Sequence, residues 1–194
     1  VNPWHTVPEG YEIKLATLSN GLQVDERIYD DLDDMLSDCR EAGLNPIVCS
    51  AYRTEATQTR LYRNKVARVR ASGVPEDRVE AEAARWVAKP GTSEHQLGLA
   101  MDISKKNSSQ LNTSFAETEE GQWVAANAHR FGFIVRYLKE YEDVTGYMYE
   151  PWHVRYVGRE QAEAIYESGV PMETYMTGYK LGVYDFLIHQ ATNE

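Results

Sequence analysis

The chain is 194 residues long and sets 20 Lys and Arg against 30 Asp and Glu, a formal net charge of −10. That length suits one domain whose core removes roughly 70% of the unfolded chain's surface from water, and the acidic balance opposes general attraction to nucleic acid or anionic lipid. Hydrophobic residues make up 42% and charged residues 26% of the chain, which excludes disorder, collagen and coiled coil, and no apolar run approaches the ~20 residues of a membrane span.

Residues 1–24, punctuated by Pro3, Pro8, Gly10, Asn20 and Gly21, read as an N-terminal extended arm with a short strand around Tyr11 to Leu15. The domain proper is expected over 25–194. Because the chain opens on Val1 without Met, its N-terminus reads as a processing point, where a signal or anchor has been removed, or as an artificial boundary. From Asp25, apolar side chains at Ile28, Leu32, Met35, Leu36 and Cys39 recur at helical steps, and Gly43 supplies a stop. Ile47 to Tyr52 reads as a strand opened by Asn45-Pro46. Thr54 caps a helix to about Ser72, and a second helical piece runs from Glu76 to about Ala88, ahead of Pro90. Leu99 to Ser104 is a short buried strand; a helix follows from about Glu117 to Arg130, then strands at Phe133–Arg136 and Trp152–Val157, and a helix from about Arg159 to Ser168. Helices and short strands mix without regular β-α-β alternation, so the fold class is α+β, a single domain. Cys39 and Cys49 lack a C-x-x-C spacing and allow one bridge at most. A bridge between helix and strand, or two free thiols, are equal expectations.

Two segments are dense in metal-competent side chains: Ser93-Glu94-His95-Gln96-Leu97-Gly98-Leu99-Ala100-Met101-Asp102 and Glu150-Pro151-Trp152-His153-Val154-Arg155. A catalytic zinc needs three protein ligands and an open position, and His95, Asp102 and His153 supply such a set. His95 and Asp102 are seven apart and would face opposite sides of one uninterrupted strand, so the chain must bend between them, and Gly98 is where it can. Glu150 and His153 have helical spacing, but Pro151 between them argues for a loop entering a strand. An Asp in a buried strand is costly without a cation or a donor network. His5, His129 and His189 read as ordinary structural histidines, and the acidic run Asp30-Asp31 with Asp33-Asp34 as a solvated helix face.

The pattern S-x-H-x-x-G-x-A-x-D followed by E-P-W-H resembles the D-Ala-D-Ala metallopeptidases related to VanY, VanX and VanXY, which share a fold with hedgehog-type domains and phage endolysins. The likeness runs in order from about Asp25 to Met176 and includes Ser50-Ala51-Tyr52-Arg53-Thr54, Gln58 and Tyr156-Val157-Gly158. The resemblance implies a small, mostly antiparallel sheet carrying one zinc on His95, Asp102 and His153, with helices flanking it. It implies Glu150 as catalytic base, Arg53 as the group that stabilises charge on the scissile carbonyl, and Ser93 and Gln58 as substrate contacts, with Arg155 a competing positive group. The E-P-W-H-V-R-Y-V-G run leans toward a zinc D,D-carboxypeptidase that removes the terminal D-Ala of peptidoglycan stem peptides or precursors ending in D-Ala-D-Ala. The expected consequence is glycopeptide resistance or wall remodelling, at an extracytoplasmic site in a bacterial envelope, membrane-anchored in full length, with a cytoplasmic location as the alternative. A D,D-dipeptidase, a dual enzyme, an L,D-carboxypeptidase or an endolysin-like endopeptidase could use the same constellation, and a zinc-stabilised binding module is the reading from outside enzymology.

Overall fold

The computed structural model describes residues 1–106, 108 and 111–180; His189 lies outside them. Along the chain run β1 (Leu15–Thr17), β2 (Gln23–Asp25), α1 (Tyr29–Glu41), β3 (Pro46–Ser50), α2 (Glu55–Ala71), α3 (Glu76–Ala84), β4 (Ala100–Lys105), α4 (Glu119–Asn127), β5 (Phe133–Tyr137), α5 (Glu142–Thr145), β6 (Glu150–Tyr156), α6 (Arg159–Ser168) and α7 (Met172–Lys180). β1 and β2 form a small hairpin, and the other strands form one antiparallel sheet in the order β3-β4-β6-β5. The α+β class expected from the sequence is the one observed.

Strand alternation separates core from site. Met101, Ile103, Trp152 and Val154 pack into the main core with Val48, Phe133 and the Leu32, Met35 and Leu36 stripe of α1. Asp102 and His153, each lying between two of those residues, therefore point to the opposite face of the sheet. On that face Ile134 of β5 packs with Ala162, Ile165 and Tyr175 beneath α6 and α7. The α2–α3 hairpin has a separate small core of Val69, Val79 and Ala83, and Thr54 caps α2 by accepting a hydrogen bond from the Thr57 amide.

The N-terminal segment is tied to the loop before β4, where the Val7 amide donates to the Gly91 carbonyl at 2.8 Å and the Tyr11 hydroxyl to the Leu97 carbonyl at 3.0 Å. Its strand falls at Leu15–Thr17 rather than around Tyr11 to Leu15, because pairing with Gln23–Asp25 sets the register. The helix expected from about Glu117 to Arg130 is α4, continued by a 3-10 turn over Ala128–Phe131, and a separate 3-10 turn, Thr113–Glu117, precedes it. Thr118 restarts the helix by capping the Gly121 amide. Cys39 and Cys49 are free thiols. Cys39 faces the core from α1, whereas Cys49 follows core-facing Val48 and turns to the other face, where its thiol donates to the Asp102 carbonyl at 3.2 Å.

Candidate metal centre and active-site cleft

Three neighbouring strands set the first row of the site: Ser50 of β3 pairs with Asp102 of β4, which pairs with His153 of β6. Directly opposed residues share a face at close range, so the register alone brings the Asp102 carboxylate to His153. His95 arrives from a 3-10 turn, Glu94–Leu97, that ends at Gly98 with φ +69°. A side chain there would be strained, and its Cβ would lie 2.9 Å from the Asp25 amide nitrogen, so the bend needs glycine. Glu150 shares the site with His153 despite the three-residue spacing, because the β5–β6 register shifts between Val135 and Tyr137. Such an irregularity re-aims side chains that a regular strand would turn apart.

His95 Nε2 lies 3.3 Å, and His153 Nδ1 3.1 Å, from Asp102 Oδ1. Two bonds of about 2.0–2.1 Å at a tetrahedral angle hold their ends roughly 3.3 Å apart, and the three potential donor atoms all fall within 4.8 Å of one another. The far nitrogen of each ring is also engaged. His95 Nδ1 bonds the Ala51 carbonyl at 2.8 Å, and His153 Nε2 stands 3.4 Å from Glu94 Oε2. Outer partners of this kind fix ring orientation and leave the inward nitrogen for a metal. The residues fit a zinc ion.

Charge sorts the two imidazoles. Burial, and then the Arg53 guanidinium, push His95 down to about 4, so it is neutral near pH 7. Burial would lower His153 too, but the Asp102 and Glu94 carboxylates overrule it and raise the ring to about 9. Asp102 itself stays well below the usual carboxylate range, since His95, His153 and Arg53 outweigh its burial. Glu150, with its Oε2 3.9 Å from His153 Nδ1, is pushed up to about 8 by burial against the pull of His153 and Arg53.

Arg53 follows β3 and is braced on three sides. Its Nε and one terminal nitrogen donate to Ser50 Oγ at 2.9 and 2.6 Å; that terminal nitrogen also reaches Asp102 Oδ2 at 2.7 Å, and the other lies 3.5 Å from Gln58 Oε1. Arg53, Ser93, Glu150 and the His95–Asp102–His153 cluster all line one cleft of about 560 Å³. Gln58 does not reach its wall: the side chain is buried behind Arg53, with Nε2 donating to the Ala88 carbonyl at 2.7 Å. Arg155 does not line the cleft; it pairs with Glu94, 2.9 Å from Oε1, an ion pair without hydrogen-bond alignment.

Sequence reasoning missed the support beneath the ligands. Glu94 is fully buried and also accepts from Arg136 Nε at 2.8 Å, and Arg136 pairs in turn with Glu173 of α7. Tyr137 stacks on His153 with ring centroids 4.8 Å apart. The signal for Glu94 was its place in Ser93-Glu94-His95; Arg136 and Glu173 gave none, since their partners lie 42 and 37 residues away in sequence.

The fold and the donor set together define an α+β domain built around an internal metal-competent centre of two histidines and an aspartate, with a carboxylate and a guanidinium alongside. The chain belongs to the VanY family of D-alanyl-D-alanine carboxypeptidases, whose family model matches residues 21–159. It is 43% identical over 180 residues to a D-alanyl-D-alanine carboxypeptidase of Enterococcus faecalis, covering 93% of this chain and 65% of that protein. Its structure resembles VanYB in complex with D-alanine-D-alanine, with a TM-score of 0.84, 42% identity and coverage of 91% and 95%. A point variant of the VanY D,D-pentapeptidase from a VanB-type vancomycin resistance cassette, in complex with Zn(II), matches with a TM-score of 0.83, 42% identity and coverage of 91% and 96%. The chain spans 46% to 65% of the length of the curated relatives it matches.

Proposed function

We propose that this protein is a zinc D,D-carboxypeptidase that removes the terminal D-Ala from peptidoglycan stem peptides ending in D-Ala-D-Ala. One observation carries the reading: two inward imidazole nitrogens and Asp102 Oδ1 lie at tetrahedral separations, with both outer ring nitrogens already engaged and Glu150 beside them. A purely structural metal site needs neither that neighbouring carboxylate nor the guanidinium of Arg53.

His95 Nε2, Asp102 and His153 Nδ1 would hold the ion, which supplies Lewis acidity toward a carbonyl and acidifies water to a pKa of ~7. Glu150 takes the proton of the attacking water and delivers it to the leaving amine, a role suited to a carboxyl whose affinity for protons burial has raised. Arg53, held by Ser50 and Asp102, offers its remaining N–H toward negative charge that develops on the attacked carbonyl. Ser93 lines the cleft and, among the described residues, its hydroxyl has no hydrogen-bond partner, so it would meet substrate, while Gln58 serves the substrate through Arg53. Residues 25–194 act as the peptidase domain and 1–24 as the arm that braces the loop before β4.

Such an enzyme acts at the bacterial cell envelope, outside the membrane, and removes the D-Ala-D-Ala end on which glycopeptide antibiotics depend. Among the described residues no helix is long and apolar enough to cross a membrane; an anchor preceding Val1 would supply attachment. The test is product analysis with zinc-loaded protein on three substrates: a pentapeptide ending in D-Ala-D-Ala, free D-Ala-D-Ala, and a tetrapeptide ending in one D-Ala after an L-residue. Release of one D-Ala from the pentapeptide is expected. Cleavage confined to the dipeptide, or to the tetrapeptide, replaces this reading with a D,D-dipeptidase or an L,D-carboxypeptidase.

A further inference from the structure

The protein is acidic, yet α2 carries Arg60, Arg63, Lys65, Arg68 and Arg70 against the single acid Glu55. Arg70 is paired with Glu76 of α3. Among the described residues, no ion pair joins Lys65, Arg68 or Arg78 to a carboxylate.

The placement of these cations is not random. Leu61, Asn64, Lys65 and Arg68 occupy steps of three, one and three residues, which is one face of a helix, and all four line the cleft that contains the metal cluster. The helix starts beside the site, since Thr54 follows Arg53 and Gln58 touches it, and then runs outward. Lys65 lies within electrostatic reach of Glu150, with its ammonium 4.5 Å over the Trp86 ring, and burial draws its pKa down. One turn further, the cleft continues into a second groove that shares Lys65, Arg68 and Trp86 and adds Arg78 and Arg85. The carboxylate there, Glu82, is taken up by Arg85 at 3.6 Å and by the Trp86 indole at 3.0 Å. From Gln58, which touches Arg53, Lys65 and Arg68 lie 7 and 10 residues further on, roughly 10 and 15 Å along the helix axis, the reach of about three to four extended residues.

We propose that the cleft face of α2 is an anion subsite, in which Lys65 and Arg68 receive an acidic group carried about three residues upstream of the cleaved bond. A side-chain carboxylate and a phosphate share the chemistry that two unpaired cations recognise. The inference rests on the carboxypeptidase reading for the direction in which the substrate lies, with its C-terminus at the metal cluster and its acidic part out along α2.

Two peptides ending in D-Ala-D-Ala and differing only by Glu or Gln three residues upstream of the cleaved bond separate the possibilities, with a third carrying phosphoserine at that place. Their binding is measured by calorimetry on zinc-loaded Glu150→Ala protein, with and without the added change Arg68→Gln, at low and high salt. The Glu peptide is expected to bind roughly threefold to tenfold more tightly than the Gln peptide, an advantage that shrinks with salt. Arg68→Gln should cut that ratio toward one, and Lys65→Gln should act in the same direction. A phosphoserine advantage larger than that of Glu would assign the subsite to phosphate. Equal affinities for all three peptides, or a Glu preference that survives loss of both cations, overturns the subsite. Turnover of the Gln peptide by the unmodified enzyme judges the carboxypeptidase reading separately, because binding needs no catalysis.

Discussion

Glu94 ties His153 to the rest of the protein, and replacing it by Gln tests that tie with little change of volume. Its carboxylate meets Arg136 Nε at 2.8 Å, Arg155 at 2.9 Å and His153 Nε2 at 3.4 Å, with no exposure to solvent. The neutral amide loses the charge that draws the proton to Nε2, so Nδ1 is less firmly assigned to the metal. Loss of an outer partner of this kind weakens metal binding by about 10- to 100-fold, which corresponds to about 1.4–2.7 kcal/mol. Stability changes as well. Arg136 keeps Glu173 through both terminal nitrogens, but Arg155 loses its carboxylate, and breaking a buried pair costs about 3–5 kcal/mol. That predicts a melting temperature lower by roughly 6–20 °C for a chain of this size. Chelator competition gives zinc affinity and thermal denaturation of metal-free protein gives stability, while Glu94→Asp should restore part of both by returning the charge. Zinc affinity within twofold of the parent in folded Glu94→Gln protein would refute the reasoning.

Glu150→Ala should keep its zinc and lose about 10²- to 10⁴-fold in turnover, the usual cost of removing a general base; loss of the metal instead would make Glu150 a ligand. Zinc binding at pH 7 should expel about one proton from His153, whose metal-free pKa is raised to about 9, and none from His95, already neutral at about 4. Apparent zinc affinity then rises about tenfold per pH unit below pH 8 and flattens toward 9. Calorimetry in buffers of different ionisation enthalpy reads that proton, and an enthalpy independent of buffer contradicts it.

The local features that placed the ligands were visible in the sequence. Gly98 had to bend the chain between His95 and Asp102, and it does so in the left-handed conformation. Pro151 argued against a helix through Glu150 and His153, and both lie in β6. What local pattern could not give was register. The opposition of Ser50, Asp102 and His153 across three strands, and the irregularity that turns Glu150 toward His153, depend on pairing between distant segments. For the same reason Arg53 appeared only as a charge-stabilising group, whereas its ion pair to Asp102 also makes it a partner of the metal cluster. α7 went unread although Met172, Tyr175, Met176 and Tyr179 recur at helical steps; Tyr175 packs with Ile134, Ala162 and Ile165, and Glu173 reaches back to Arg136, contacts between segments that local pattern does not show.

Anomalous diffraction at the zinc edge, on crystals grown with one equivalent of zinc, tests the central claim most directly. The account predicts a single peak bonded at about 2.0–2.2 Å to His95 Nε2, Asp102 Oδ1 and His153 Nδ1, with His153 Nε2 still turned to Glu94. A peak elsewhere on the protein, or one bound through His153 Nε2 with the ring reversed, would contradict it.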